Sequence, residues 1–156
     1  MSQKLIIGVL FLIAFSVTAC QQAPHEHDAK STEVEYLLMP GMEGLDLPFS
    51  SAVRVRNTLY MSGNLGNVPG TLDLAPGGIQ GETKQTMDNI KAVAEHFGSS
   101  MDKVVKCTVF LADIAEWGAM NEVYKTYFKN PPARSALGAS GLALNARVEI
   151  ECIATI

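Results

Sequence analysis

The chain alternates between two hydrophobic periods, and the places where it switches predict its elements. "SSAVRVRNTLYMSG" holds two short runs of period two around Arg56-Asn57, the pattern of a β-hairpin. A loop rich in Gly and Pro follows, "GNLGNVPGTLDLAPGG", from Gly63 to Gly78. In "IQGETKQTMDNIKAVAEHFG", Thr83, Met87, Ile90, Ala94 and Phe97 recur at helical spacing, and Gly98 ends the run. "DKVVKCTVFLADI" reads as a strand with Val105, Cys107, Val109 and Leu111 on one face, and Val104, Thr108 and Phe110 on the other. "AEWGAMNEVYKTYF" predicts a second helix, with Trp117, Met120, Tyr124 and Tyr127/Phe128 as its apolar stripe. "PPARSALGAS" and "ARVEIECIATI" complete the pattern as two strands. The order β-β-α-β-α-β-β implies an α+β layer in which two helices cover one sheet face. The strands are apolar on both sides, so the second face also needs cover, and self-association through the sheets supplies it.

The N-terminus follows a different logic. "MSQKLIIGVLFLIAFSVTAC" has one early cation, Lys4, and then an apolar run from Leu5 to Phe15. That run is too short to span a bilayer comfortably and has the proportions of a signal-peptide core. It ends in "VTAC", small residues before a cysteine, which resembles a bacterial lipobox. We therefore expect residues 1–19 to be a lipoprotein signal peptide and Cys20 to be the lipidated new N-terminus. Gln21, where an aspartate would favour retention at the inner membrane, points to an outer-membrane anchor facing the periplasm of a Gram-negative bacterium. Residues 20–33 then form the lipidated cysteine and a polar tether, and residues 34–156 the folded domain. The tether contains "HEHD", His25 to Asp28. These are metal-ligand residue types, but a flexible strand offers neither fixed geometry nor supporting hydrogen bonds, so the expectation is a solvated linker and no metal site.

Composition narrows the function. A net charge of −4 and a pI near 5.3 leave no basic footprint for nucleic acid. Hydrophobic residues make up 47% of the 156, enough for an ordinary core in one domain. Cys107 and Cys152 share the alternation of their apolar neighbours and read first as small buried side chains; a disulfide is the alternative in an oxidising compartment.

The charged positions of the last two strands carry the chemistry. Arg134 sits among small residues after two prolines, and on the final strand Arg147, Glu149, Glu151 and Ile153 alternate with Val148, Ile150, Cys152 and Ala154. An unpaired buried charge costs several kcal/mol, so each needs a partner. If the two strands pair across "GLALNA", Arg134 and Glu149 become neighbours, and a structural ion pair is the plain reading of that pattern.

"PPARSAL…VEIECIA", together with "SGNLG" and the helix–strand–helix run before it, resembles the RidA (YjgF-type) imine/enamine deaminase family from about Pro48 to Thr155. The resemblance implies a chorismate mutase-like fold: a mixed sheet with two helices on one face, in a homotrimer with the sheets inside and a small-ligand cleft at each subunit interface. It implies hydrolysis of 2-imino acids of the 2-aminoacrylate/2-iminopropanoate type to 2-oxo acids and ammonia, without metal or organic cofactor. The arginine of "PARS", Arg134, would hold the substrate carboxylate, and the first glutamate of "VEIE", Glu149, the attacking water. Ser62 and Gly63 match the family's pocket wall, and Asn121 a family asparagine on the second helix. Three positions depart from the family: Phe49 replaces its usual tyrosine, Asn64 a glutamine, and Ala136 a common cysteine. These changes reshape the pocket, and they leave a second expectation open, a non-catalytic trimeric module that binds small carboxylates such as 2-oxo acids. Ribonuclease roles have been attached to the family, but the acidic pI and the lack of paired histidines in the domain do not support one here.

Overall fold

A computed structural model describes residues 33–156. The expected signal peptide, Cys20 and the "HEHD" segment expected to be a tether lie outside the described residues. Six strands form one sheet: β1 (Val34–Leu37), β2 (Ala52–Val55), β3 (Thr58–Leu65), β4 (Val104–Leu111), β5 (Ala133–Gly138) and β6 (Val148–Thr155). Helix α1 (Gly78–His96) joins β3 to β4, and α2 (Trp117–Tyr124) lies between β4 and β5. The element order matches the periodicity except for β1, a short strand paired antiparallel with β2 that four half-exposed residues were too few to announce. Arg56, with φ of 53°, makes the tight β2–β3 turn.

Across the sheet the strands run β1-β2-β3-β6-β4-β5. Every neighbouring pair is antiparallel except β4–β5, so the sheet is mixed. The last strand of the chain therefore lies in the middle of the sheet, between β3 and β4. Burial fits this place: Val148, Ile150, Cys152 and Ala154 are all within 1% of complete burial, with strands on both sides and the helices over their face.

The core is a single layer between this sheet and the helices. Ile79, Thr83, Met87, Ile90 and Ala94 of α1 and Met120 and Tyr124 of α2 pack onto Leu59, Met61, Cys107, Val109 and the buried face of β6. Thr83 and Thr86 are buried polar groups, satisfied by the carbonyls one turn back, Ile79 and Glu82. Trp117, expected on the apolar stripe, is 46% exposed. β4 also differs from simple alternation. An irregularity between Val104 and Lys106 turns Val104 into the core and leaves Val105 outside, opposite to the strict period-two reading. The opposite sheet face carries Val53 beside Tyr60, Tyr60 beside Ile153, and Phe110 beside Glu149.

Cys107 and Cys152 face each other across β4 and β6 and are joined as a disulfide, with Cα atoms 4.1 Å apart. Of the two readings open for them in the sequence, the structure takes the bond. Both remain fully inside the core.

Candidate functional site

β5 leaves a double-proline turn and pairs in parallel with β4, so Arg134 lies beside Cys107 and points to the helix side of the sheet. There α2 receives it. Nη1 donates to Asn121 Oδ1 at 2.7 Å, and the guanidinium carbon stands 4.6 Å from the ring centre of Tyr124 and 5.7 Å from that of Trp117. Attraction to two aromatic faces and one amide fixes the fork with little loss of hydration, since Arg134 is only half-buried. The guanidinium forms one wall of a cavity of about 420 Å³, shared with Asn121, Tyr124, Phe128 and the two prolines before β5. A fork with five N–H groups can hold Asn121 and a bidentate carboxylate at once. Burial pushes the Tyr124 phenol up to about 12, against the opposing pull of the Arg134 charge, so the ring stays neutral at physiological pH.

Glu149 is elsewhere. It lies opposite Phe110 on one side and Leu65 on the other, on the sheet face away from the helices. Its carboxylate rests against Gly63, where an added Cβ would overlap it. The β3 register shifts between Met61 and Asn64, just where the carboxylate settles. Ser62 is spent structurally, its hydroxyl donating to the Ser50 carbonyl at 2.6 Å, and the Asn64 amide donates to the Ser62 carbonyl at 2.8 Å. Phe49 is 53% exposed and lines a separate cavity with Tyr36, Leu38 and Leu45.

The site residues read from the sequence thus fall into two groups. Arg134, Asn121 and Ala136 gather at the β5 edge; Glu149, Gly63 and Ser62 gather on the far face of β3 and β6. The expected Arg134–Glu149 neighbourhood is corrected: β5 pairs with β4 instead of β6, and the two side chains leave the sheet on opposite faces. Alternation does not choose between those pairings, and the short β5–β6 connection favoured the wrong one, whereas β4 reaches β5 through a longer crossover that contains α2. Tyr124 and Trp117 were read as core stripe and missed as the aromatic support of Arg134; their i, i+7 spacing on one helix, with Asn121 midway, is the signal that could have found them. Among the described residues no cluster of three or more His, Cys, Asp or Glu could hold a metal ion.

Fold and site define a two-layer α+β protein with a cationic, aromatic-walled cleft at the sheet edge and a carboxylate on the opposite face. The chain belongs to the RidA (YjgF-type) family: the family model described as endoribonuclease L-PSP matches residues 45–156. Among its relatives, the 2-iminobutanoate/2-iminopropanoate deaminase of Mus musculus is 44% identical over 108 residues, covering 69% of this chain and 80% of that protein. A protein of the same name from Dermatophagoides farinae is 44% identical over 110 residues, 70% of this chain and 86% of that one. The crystal structure of RidA from an Antarctic Psychrobacter superposes with a TM-score of 0.68 at 35% identity, covering 80% of this chain and 98% of that one.

Proposed function

We propose that this protein hydrolyses reactive 2-imino and enamino acids to 2-oxo acids and ammonia. Arg134 grips the substrate carboxylate. Glu149 orients a water and takes its proton as the oxygen bonds to C2. The C2=N π electrons move to nitrogen, which receives the proton held by Glu149; the resulting carbinolamine collapses as its hydroxyl proton passes to the nitrogen, forming the 2-oxo group and releasing ammonia. One water is consumed, and an enamine first gains a proton at C3. The observation that carries this reading is the Arg134 fork, oriented by Asn121 at 2.7 Å and by Tyr124 at the mouth of a small cavity, in a chain closely similar to proteins named as imine deaminases. The experiment is turnover of freshly generated 2-iminopropanoate. The wild type should accelerate hydrolysis and Arg134→Ala should not, with its fold retained; no rate above buffer for several imino acids would overturn the enzyme reading.

The same proposal includes a homotrimer with the sheets inside. Two observations support it. Tyr60 and Val105 leave the sheet face 45% and 49% exposed, beside half-buried Phe110 and Ile153. Arg134 and Glu149 can serve one substrate only if different copies supply them. The replacement of a tyrosine by Phe49 and a cysteine by Ala136 favours a second reading, a non-catalytic module that binds small 2-oxo acids in those clefts. Both readings give binding, so only turnover separates them.

For location we propose a lipid anchor at Cys20, at the outer membrane and facing the periplasm. "VTAC" supports it, and so does the Cys107–Cys152 bond, since such bonds persist in oxidising compartments and are rare in reducing ones. Cys20→Ser should move the protein from the membrane fraction to the soluble one; unchanged partitioning would refute the anchor.

A further inference from the structure

One buried carboxylate outside the cleft faces the entry to β6. Glu82, in α1, is 6% exposed, and its Oε2 accepts the backbone N–H of Arg147 at 2.7 Å. Arg147 is the residue just before β6, and Glu149 is the second residue of that strand. The other groups of Arg147 are engaged as well. Its carbonyl accepts the Ala112 N–H at 2.9 Å, just past the end of β4, and its guanidinium pairs with Glu116, just ahead of α2. A single residue therefore ties α1, β4 and α2 to the point where β6 begins.

Glu82 also reaches β3. Gly66, just beyond the end of that strand, has no room for a Cβ because the Glu82 main chain lies against it. Three residues earlier, Gly63 has no room because the Glu149 carboxylate lies against it. The backbone of Glu82 thus presses the end of β3 while its side chain holds the start of β6, and the Glu149 carboxylate sits between those two strands. The Glu82 oxygen is the acceptor of the Arg147 N–H, and Glu82 itself is buried, so loss of that oxygen would free the Arg147 backbone from α1 and let the start of β6 shift toward another partner.

We infer that Glu82 is a positioning residue for the deamination, holding the first residues of β6 so that the Glu149 carboxylate stays over Gly63. The task needs an acceptor at the right reach, not a negative charge. The inference rests on Glu149 as the residue that handles the water. It makes Glu82 act on the chemical step and not on carboxylate binding, which belongs to Arg134 on the other face.

The test compares full-length wild type with Glu82→Ala, Glu82→Asp, Glu82→Gln and Glu149→Gln, at a temperature where circular dichroism and size-exclusion show each one folded and assembled. Glu82→Ala should lower kcat for 2-iminopropanoate about tenfold, the scale of a small misplacement of a reacting group. KM, and the Kd for pyruvate, should stay within about twofold of wild type. Glu82→Asp, one methylene short of Arg147, should show the same split, which gives a second case should the alanine variant fold poorly. Glu82→Gln keeps the acceptor and should recover kcat to within about threefold of wild type. Normal kcat in the alanine and aspartate variants, a glutamine variant as impaired as the alanine one, or KM rising in step with the loss of kcat would each overturn the inference. If Glu149→Gln is inactive and the Glu82 variants are normal, the positioning role alone fails. If Glu149→Gln turns over like wild type, the water-handling reading fails and the inference falls with it.

Discussion

At the scale of single residues, the cleft depends on the shape of Arg134 as much as on its charge. Its planar fork lies over Tyr124 and reaches Asn121, and a lysine ammonium could do neither in the same way. Arg134→Lys should therefore keep the fold yet lose about a hundredfold in kcat/KM, as expected when a hydrogen-bonded charge partner is replaced by a mismatched one. Recovery of most of the activity by lysine would mean that only the charge matters. Gly63 is the second sensitive position. It is a glycine because the Glu149 carboxylate occupies the space of its Cβ, not because of its backbone angle. Gly63→Ala should push that carboxylate aside and lower kcat about tenfold or more, with Arg134-dependent binding of pyruvate left intact.

At the scale of elements, two connections hold the layers in place. The Cys107–Cys152 bond joins β4 to β6 and closes a loop of 45 residues, and Arg134 lies beside Cys107 on the next strand. Replacing both cysteines by alanine should cost about 2–4 kcal/mol. Thermal unfolding would register that as a Tm lower by roughly 5–15 °C, while activity at lower temperature persists. An unchanged Tm would show that the bond adds nothing beyond packing. The second connection joins the two helices. Tyr127, in the short turn of helix after α2, donates its hydroxyl to Asp88 of α1 at 2.8 Å, and Lys84 donates to the same carboxyl at 2.7 Å. Partial burial works against the ionised form, but these two hydrogen bonds prevail and hold Asp88 below the usual carboxylate range. A carboxyl depressed by folding stabilises the native state above its unfolded value, near pH 4, and that contribution is lost as pH falls through the folded value. The acid limb of a Tm-against-pH curve should thus be shallower in Asp88→Asn than in wild type. Parallel curves would remove Asp88 from the acid response.

At the scale of the whole molecule, the separation of Arg134 from Glu149 makes a strong demand on assembly. Each single variant, Arg134→Ala or Glu149→Gln, should be inactive alone. If different copies complete each cleft, subunits of the two variants denatured, mixed equally and refolded together should regain about a quarter of wild-type activity. That fraction is the chance that one random neighbour brings the intact arginine and the other the intact glutamate. No recovery in correctly assembled mixtures would mean that each chain builds its site alone. The half-exposed apolar face of Tyr60, Val105 and Ile153 also bears on the demand, because a face of that kind is normally covered.

Much of this molecule was legible in its order of residues. Both helices and five of the strands follow from period alone, because each element must turn an apolar face to the same core and the spacing records which residues do so. The "PPARS" and "VEIE" motifs single out Arg134 and Glu149 within the sequence itself. Strand order was not legible: which strand lies beside β6 depends on the sum of contacts across the sheet, and alternation inside a strand is the same whatever its neighbour. The face taken by Val105 was hidden for a related reason, since a one-residue irregularity in β4 inverts everything before it. The tertiary structure alone decided that Arg134 and Glu149 leave the sheet in opposite directions, that Cys107 and Cys152 meet, and that Glu82 reaches Arg147 from 65 residues away. Periodicity is a property of one segment. Each of these is a meeting of two distant segments, and only packing the whole sheet against its helices brings them together.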